Sequence, residues 1–312
     1  MQRLSTLLLP AVLLALSGCA ENIYNLTAPA STQADQYVET DDLSKISNKK
    51  IAITSFGIEF DTNVYSYTKS KVNTTTYQSR QKSQITNLSN EVMQSIVDDA
   101  YGKLVKDLAA AGYEVLPYDS YKDTSEYQSL IKIIGKQQSP VEVTFKYADN
   151  QAMENSDALV FAPTGMVWYP LAAGEQSARS KTLTNVGTQI VGALGRGFSG
   201  EQPHVVSEIA LADALKTTML KVYYIVSPVR TAGMKDGYTI VGGGESRLAF
   251  RTPGASTRHF TFSKNPPPLD GNAFVRLKQD VLLDPTLKSY QDIEKHLDAV
   301  REMFMAKLKA GK

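Results

Sequence analysis

The sequence predicts an α/β (α+β) fold: a mixed sheet with packed helices and polar excursions between its elements. Three observations carry this. Ile51, Ile53, Phe56, Ile58 and Phe60 form a strand pattern with a break near Ser55. From Leu88 to Ala111, Val92, Ile96, Ala100, Leu104 and Leu108 recur every fourth residue, with Met93, Val97 and Val105 beside them, as one helical stripe. Gly112 then closes the helix, and Tyr113-Glu114-Val115-Leu116 reads as a second strand. Strand, helix and strand make a β-α-β unit, which favours parallel pairing.

The chain opens with Arg3, an apolar run from Leu4 to Leu16, and Leu16-Ser17-Gly18-Cys19. A basic start, a short apolar core and small residues at the cut describe an export signal. The run falls short of the ~20 residues a membrane-crossing helix needs. The Leu-Ser-Gly-Cys ending resembles a lipobox, the cleavage motif of bacterial lipoproteins. That resemblance implies a signal peptide over 1–18 and a diacylglycerol-bearing, palmitate-type anchor on Cys19. With Ala20 rather than aspartate next, it implies the periplasmic face of the outer membrane, ahead of the inner membrane. Several acyl chains anchor stably where one does not. The plainer alternative is a secretory signal that happens to end in cysteine.

Cys19 is the only cysteine, which excludes an intramolecular disulfide, a cysteine-rich metal site and a redox pair. A net charge of +1 gives no reason to expect a nucleic-acid partner. A mature length of about 290 residues can support its own core. Residues 19–48 are polar and read as a flexible tether, with a strap docked through Tyr37 and Val38 as the alternative. A single α/β periplasmic domain is expected over 49–312.

Residues 61–87 lack Pro and Gly and form a first polar excursion, as a long hairpin or an exposed loop. Ser89 or Asn87 can cap the long helix, with Glu91 in its first turn. A helix is expected around Tyr127, Leu130, Ile131 and Ile134, a short strand over Val141 to Tyr147, and a buried strand over Asp157 to Ala162. Residues 172–204 form a second excursion punctuated by glycine. A helix from Ser207, the strand Met219 to Ser227 and shorter strands at Tyr238–Val241, Arg247–Phe250 and His259–Phe262 follow. Ser289 to Lys309 is an amphipathic helix with Ile293, Leu297, Val300, Met303, Phe304 and Leu308 on one side.

The order of these elements resembles the α/β domain shared by the TolB amino-terminal domain and the curli-secretion lipoprotein family. The residues that carry it are Lys50-Ile51-Ala52-Ile53 to Phe56, Leu104, Leu108 and Gly112, Tyr113 to Leu116, Ser156 to Val160, and Leu220 to Val226. The resemblance implies a periplasmic lipoprotein that binds other proteins and has no catalytic residues to carry over. In the curli-secretion family, inserted hairpins from several subunits build an outer-membrane barrel. A barrel strand needs ~9–11 alternating residues. Residues 61–87 offer Tyr65, Tyr67 and Tyr77 but few apolar positions between them, and 172–200 are too rich in glycine.

No motif for chemistry stands out. His204, His259 and His296 have no metal spacing, and His296 reads as a surface residue among Asp292, Glu294 and Lys295. No Gly-x-Ser-x-Gly elbow occurs, although a Ser-His-Asp set can assemble from distant positions. Gly192-Ala193-Leu194-Gly195-Arg196-Gly197 lacks the ending of a phosphate loop. Asp98-Asp99 reads as a solvated helix face. No catalytic, cofactor-binding or metal residue is therefore singled out. The sixteen tyrosines are the one compositional signal, and Tyr65, Tyr67, Tyr77, Tyr118, Tyr121, Trp168 and Tyr169 are the expected partner-contact residues. The expected function is a non-catalytic binding or assembly factor, anchored to the outer membrane through lipidated Cys19 and contacting other envelope proteins. A subunit of an oligomeric secretion channel is the first alternative, and an envelope hydrolase the second.

Overall fold

A computed structural model describes residues 24–41, 43–72, 74–84, 88–134, 139–148, 152–169, 203–226, 238–241, 246–253, 273–278, 281–283 and 291–311. It has the mixed α/β fold. In chain order the elements are α1 (Ala30–Tyr37), β1 (Val38–Asp41), β2 (Lys50–Val72), β3 (Thr75–Gln84), α2 (Asn90–Ala110), β4 (Glu114–Leu116), α3 (Ser125–Ile134), β5 (Val141–Ala148), β6 (Ala152–Phe161), α4 (Pro203–Leu215), β7 (Thr218–Val226), β8 (Tyr238–Val241), β9 (Arg247–Arg251), β10 (Ala273–Leu277), β11 (Val281–Leu283) and α5 (Gln291–Ala310).

The strands form one sheet in the order β1-β10-β9-β7-β2-β6-β5, with β3 and β4 also on β2 and β8 and β11 joined beyond β7. The expected β-α-β unit is present: β2 and β4 are parallel, Ile51 facing Val115. β2 is also parallel to β7, and a bulge between Ile53 and Ser55 interrupts that ladder. The extra residue re-aims the strand, as bulges do. It is the break visible in the sequence. Because of it, Ile51 and Ile53 before the bulge and Phe56, Ile58 and Phe60 after it all reach the same core, each fully buried.

That core covers one face of the sheet. α2 contributes Met93, Ile96, Val97, Leu104 and Leu108, and α5 contributes Ile293, Leu297, Val300, Met303, Phe304 and Leu308. Ser89 caps α2 by accepting from the Val92 amide, and Gly112 takes the left-handed φ of +83° that ends it. Val92, expected in the stripe, is exposed instead, because the stripe narrows in the first turn. α2 and α5 are tied by Arg301 to Asp107 at 2.6 Å and Lys103 to Asp298 at 2.7 Å. A second, smaller core on the opposite face holds Tyr121, Tyr127, Leu130 and Ile131 near α3, Leu211 and Ala212 of α4, and Ala52 and Met219 of the sheet. The protein is thus helix, sheet and helix in three layers.

Two expectations are corrected here. Residues 24–48 are not a flexible tether. Ala30, Ala34 and Tyr37 of α1 recur at spacings of four and three and are buried, α1 packs on α5, and β1 pairs with β10. The docked strap is the arrangement observed, and the folded domain reaches back to Tyr24. His296 is not a surface residue but fully buried. It lies three residues after Ile293 and four before Val300, so it falls inside the apolar stripe of α5. The second excursion lies outside the described residues except for 203–204, which begin α4.

Candidate functional site

Past its buried half, β2 leaves the core and enters a four-stranded antiparallel ribbon. Asn63 to Val72 pair with Gln84 to Thr75 of β3, residue for residue. On its other side β2 pairs with β6, from Ile58 with Phe161 out to Thr68 with Ala152, and β6 pairs with β5 along its length. The first excursion is therefore a hairpin, and a second hairpin lies beside it. The ribbon order is β3-β2-β6-β5, and among the described residues neither β3 nor β5 has a strand on its outer side. Open edges of this kind present unpaired N–H and C=O groups that another strand can join. The ribbon strands are eight to ten residues long.

Beneath the ribbon, the second face of the sheet carries buried charge. Glu208 of α4 accepts from Lys221 Nζ of β7 at 2.9 Å and from Arg251 Nε of β9 at 2.8 Å. All three side chains are at most 2 % exposed. The Tyr223 hydroxyl donates to Glu59 Oε2 near the carboxyl end of β7, where its parallel ladder with β2 finishes. Burial raises the Tyr223 pKa well above the ordinary range, and the negative charges of Glu59 and Asp61 raise it further. Tyr223 is therefore neutral at physiological pH, a hydrogen-bond donor and not a base. Trp168 stacks on it with ring centroids 6.0 Å apart, and a Cβ added at Gly57 would lie 2.4 Å from the indole. Carboxyl ends of parallel strands are where α/β sheets commonly hold ligands. Here three acids (Glu59, Asp61, Glu208) stand with three cations (Lys221, Arg247, Arg251), and a packed indole covers Gly57. The arrangement is a lock between α4, β7 and β9.

The expected contact residues divide between these two regions. Tyr65, Tyr67 and Tyr77 are on the ribbon, Tyr65 opposite Lys82, Tyr67 opposite Arg80 and Tyr77 opposite Ser70. Tyr121, Trp168 and Tyr169 are at most 3 % exposed, which corrects their reading as partner contacts. Their polar tips are used internally. Tyr121 donates to the Ile53 carbonyl at 2.5 Å, and Tyr127 beside it donates to the Thr54 carbonyl at 3.1 Å, around the bulge. Tyr169 donates to Thr54 Oγ1 at 3.0 Å. Burial raises the pKa of Tyr121 and Tyr127 strongly. Tyr118 is half-buried, its ring edge-on to both. The tyrosine cluster after the long helix is thus a satisfied packing layer under a bulge, as a rigid ring with a polar tip permits.

Asp98 and Asp99 also separate. Asp99 is exposed and pairs with Lys103, as a solvated face would. Asp98 instead clasps the turn after β6, accepting from the Thr164 amide at 2.7 Å and its hydroxyl at 2.8 Å. His204 lies in the first turn of α4, while His259 and Cys19 lie outside the described residues. Among the described residues, no group of three His, Cys, Asp or Glu side chains could hold a metal ion. No described helix is long and apolar enough to cross a membrane. The chain matches no family model, no curated protein and no solved structure.

Proposed function

We propose that the chain is an outer-membrane-anchored periplasmic lipoprotein that acts as a non-catalytic binding and assembly factor in the cell envelope. The ribbon carries this reading: two adjacent hairpins project from a packed α/β body, and among the described residues both outer strands are open. Strand addition at such an edge uses main-chain hydrogen bonds for affinity and alternate side chains for choice of partner. The lipobox-like Leu16-Ser17-Gly18-Cys19 supports the anchor.

Crosslinking in intact envelopes tests the reading. The wild-type chain should capture a specific envelope protein, and a variant with residues 64–83 replaced by Gly-Gly should fold and lose it. Undiminished capture by the folded variant would remove the ribbon from the function. Palmitate incorporation that survives Cys19→Ser would remove the anchor.

The channel subunit is kept as a second reading, because a ribbon open at both edges can join head to tail with further copies and close a ring. Its polarity weighs against a barrel. Of the ten residues from Asn63 to Val72, only Val64, Tyr65, Tyr67 and Val72 are apolar or aromatic, and Lys69 and Lys71 would each cost roughly 2–4 kcal/mol at a bilayer midplane. Light scattering on the lipidated chain in mild detergent separates the two: a ring of many copies supports the channel, and a monomer or dimer the assembly factor.

A further inference from the structure

We propose that the ribbon docks through one basic face on the anionic headgroups of the membrane that holds the lipid anchor. The inference rests on the anchor reading above and adds an orientation and a second membrane contact to it.

The first support is the placement of charge. From Asn63 to Gln84 there are four basic residues, Lys69, Lys71, Arg80 and Lys82, and no acid. Residues directly opposite in an antiparallel pair share a face, and faces alternate along each strand. Tyr65 is opposite Lys82 and Tyr67 opposite Arg80, and Lys69 and Lys71 continue the same alternate set. By register, all four basic positions thus share one face with the positions of Tyr65 and Tyr67. The other face, with Ser66, Thr68 and Ser70 opposite Gln81, Ser79 and Tyr77, has no charge on this hairpin. On the neighbouring hairpin, Lys146 joins the basic face opposite Asn155, and the acids Asp157 and Glu142 of that face lie toward the ribbon's base.

The second support is where the anchor meets the fold. One row of paired residues crosses the sheet: Glu39, Arg276, Arg247, Tyr223 and Gly57. β1 and β2 run in opposite directions, so Val38 on β1 and Ile58 to Phe60 on β2 lie on the same side of that row. The chain therefore enters the sheet at the end from which the ribbon leaves. The Tyr24 ring packs 5.5 Å from that of Tyr37, at this end. From Cys19 to Tyr24 is five residues, at most about 18 Å of extended chain. The ribbon runs about 30 Å beyond its root. A bilayer that holds Cys19 thus lies within about 18 Å of Tyr24, at the end of the sheet from which the ribbon leaves. Contact along the surface fits the composition, because neither face has the apolar set that a membrane-spanning strand presents to lipid. Each basic residue held near an anionic surface strengthens binding about five-fold, within a Debye length of ~8 Å.

The test uses the full lipidated chain on phosphatidylcholine vesicles with and without phosphatidylglycerol, with tryptic cleavage after Lys69, Lys71, Arg80 and Lys82 followed by mass spectrometry. Cleavage is expected to be at least about ten-fold slower on the anionic vesicles at low salt, and equal on both in high salt. In a K69Q/R80Q variant, protection read at Lys71 and Lys82 should weaken by about five-fold per charge removed, with circular dichroism unchanged. Equal cleavage on both vesicles would overturn the proposal. Salt-resistant protection on both would also overturn it, in favour of insertion, and so would protection that needs an added acidic protein. The intact mass of the same sample reports Cys19 acylation, so loss of the anchor reading and loss of the docking reading are told apart.

Discussion

β2 is one strand with two environments. Its first half, from Ile51 to Phe60, runs parallel to β7 along its length and to β4 at its start, and is buried throughout. Its second half, from Asn63, has antiparallel neighbours on both sides and a polar sequence. The switch occurs across Asp61 and Asn63, where the ladder with β6 shifts register. The buried half depends on groups far apart in sequence: helices on both faces, an indole over Gly57, tyrosine hydroxyls on the bulge carbonyls. The ribbon half depends on its own hairpin. Residues in the first half should therefore control stability, and residues in the second half should control contacts, with little crossover.

The largest expected effect is in the buried lock. Glu208→Ala would leave Lys221 and Arg251 without their shared carboxylate in a site with almost no solvent. Stranding a buried charge costs roughly 3–5 kcal/mol, so the urea midpoint should fall far enough to threaten folding at 37 °C. Replacing all three residues with apolar ones of similar volume should recover most of the loss. A Glu208→Ala loss below about 1 kcal/mol would mean that the lock is already wet and that the two halves of β2 differ less than their burial suggests.

Much of the buried half was legible because its signals are local. The phase change from Ile51 and Ile53 to Phe56, Ile58 and Phe60 is the bulge itself, written as a slipped alternation. The stripe and Gly112 gave the long helix and its parallel partner strand. His296 was legible too, at three and four residues from Ile293 and Val300, but its charged sequence neighbours argued more loudly than its helical ones. The lock was not legible. Glu208, Lys221 and Arg251 come from a helix and two strands, and no spacing announces that they meet. The tyrosines misled because composition reports how many rings there are and not which face they take. Tyr121, Trp168 and Tyr169 are core, and only the ribbon set keeps its place among contact candidates. The ribbon itself was half legible. The lack of Pro and Gly in 61–87 left a hairpin and an exposed loop both open, and the partnership with β5 and β6 is long-range.

Next in size is Gly57→Ala. The new Cβ would sit 2.4 Å from the Trp168 ring, which is buried and stacked on Tyr223 and cannot yield cheaply. Overpacking of this kind costs typically 1–3 kcal/mol. Guanidinium denaturation, with the fluorescence of the single tryptophan as probe, should show both the loss and a shifted emission. An unchanged midpoint would show that Trp168 is a loose cover.

Alkaline pH should act on the same half. Burial raises Tyr24 and Tyr113 to about 12, and raises Tyr121 and Tyr127 further. The folded chain keeps these phenols neutral, while the unfolded chain ionises them near 10. Their contribution is fully present below pH 10 and is lost as pH rises from 10 through 12, by about 1.4 kcal/mol per pH unit for each phenol still protonated only when folded. Ultraviolet phenolate absorbance and far-ultraviolet circular dichroism should therefore change together above pH 10. Ionisation of all sixteen tyrosines near 10 with intact secondary structure would place these hydroxyls in solvent.

A small effect on stability is expected from removal of the ribbon's first hairpin, and it is the sharpest test of the contrast within β2. Asn63 and Gln84 face each other across the β2–β3 ladder, so Gly-Gly in place of 64–83 closes the chain without moving either strand end. The excision leaves the helices, both cores and the lock untouched. β6 loses its neighbour from Ala152 to Ser156 but keeps β2 from Asp157 to Phe161 and all of β5. The urea midpoint of the body should shift by no more than about 0.5 kcal/mol, as for surface changes away from the core. The single changes Lys69→Gln and Arg80→Gln should shift it less. If the excised chain instead loses several kcal/mol, the ribbon pins the carboxyl end of β2 against β6, and its open edges are then a structural brace first and a contact surface second.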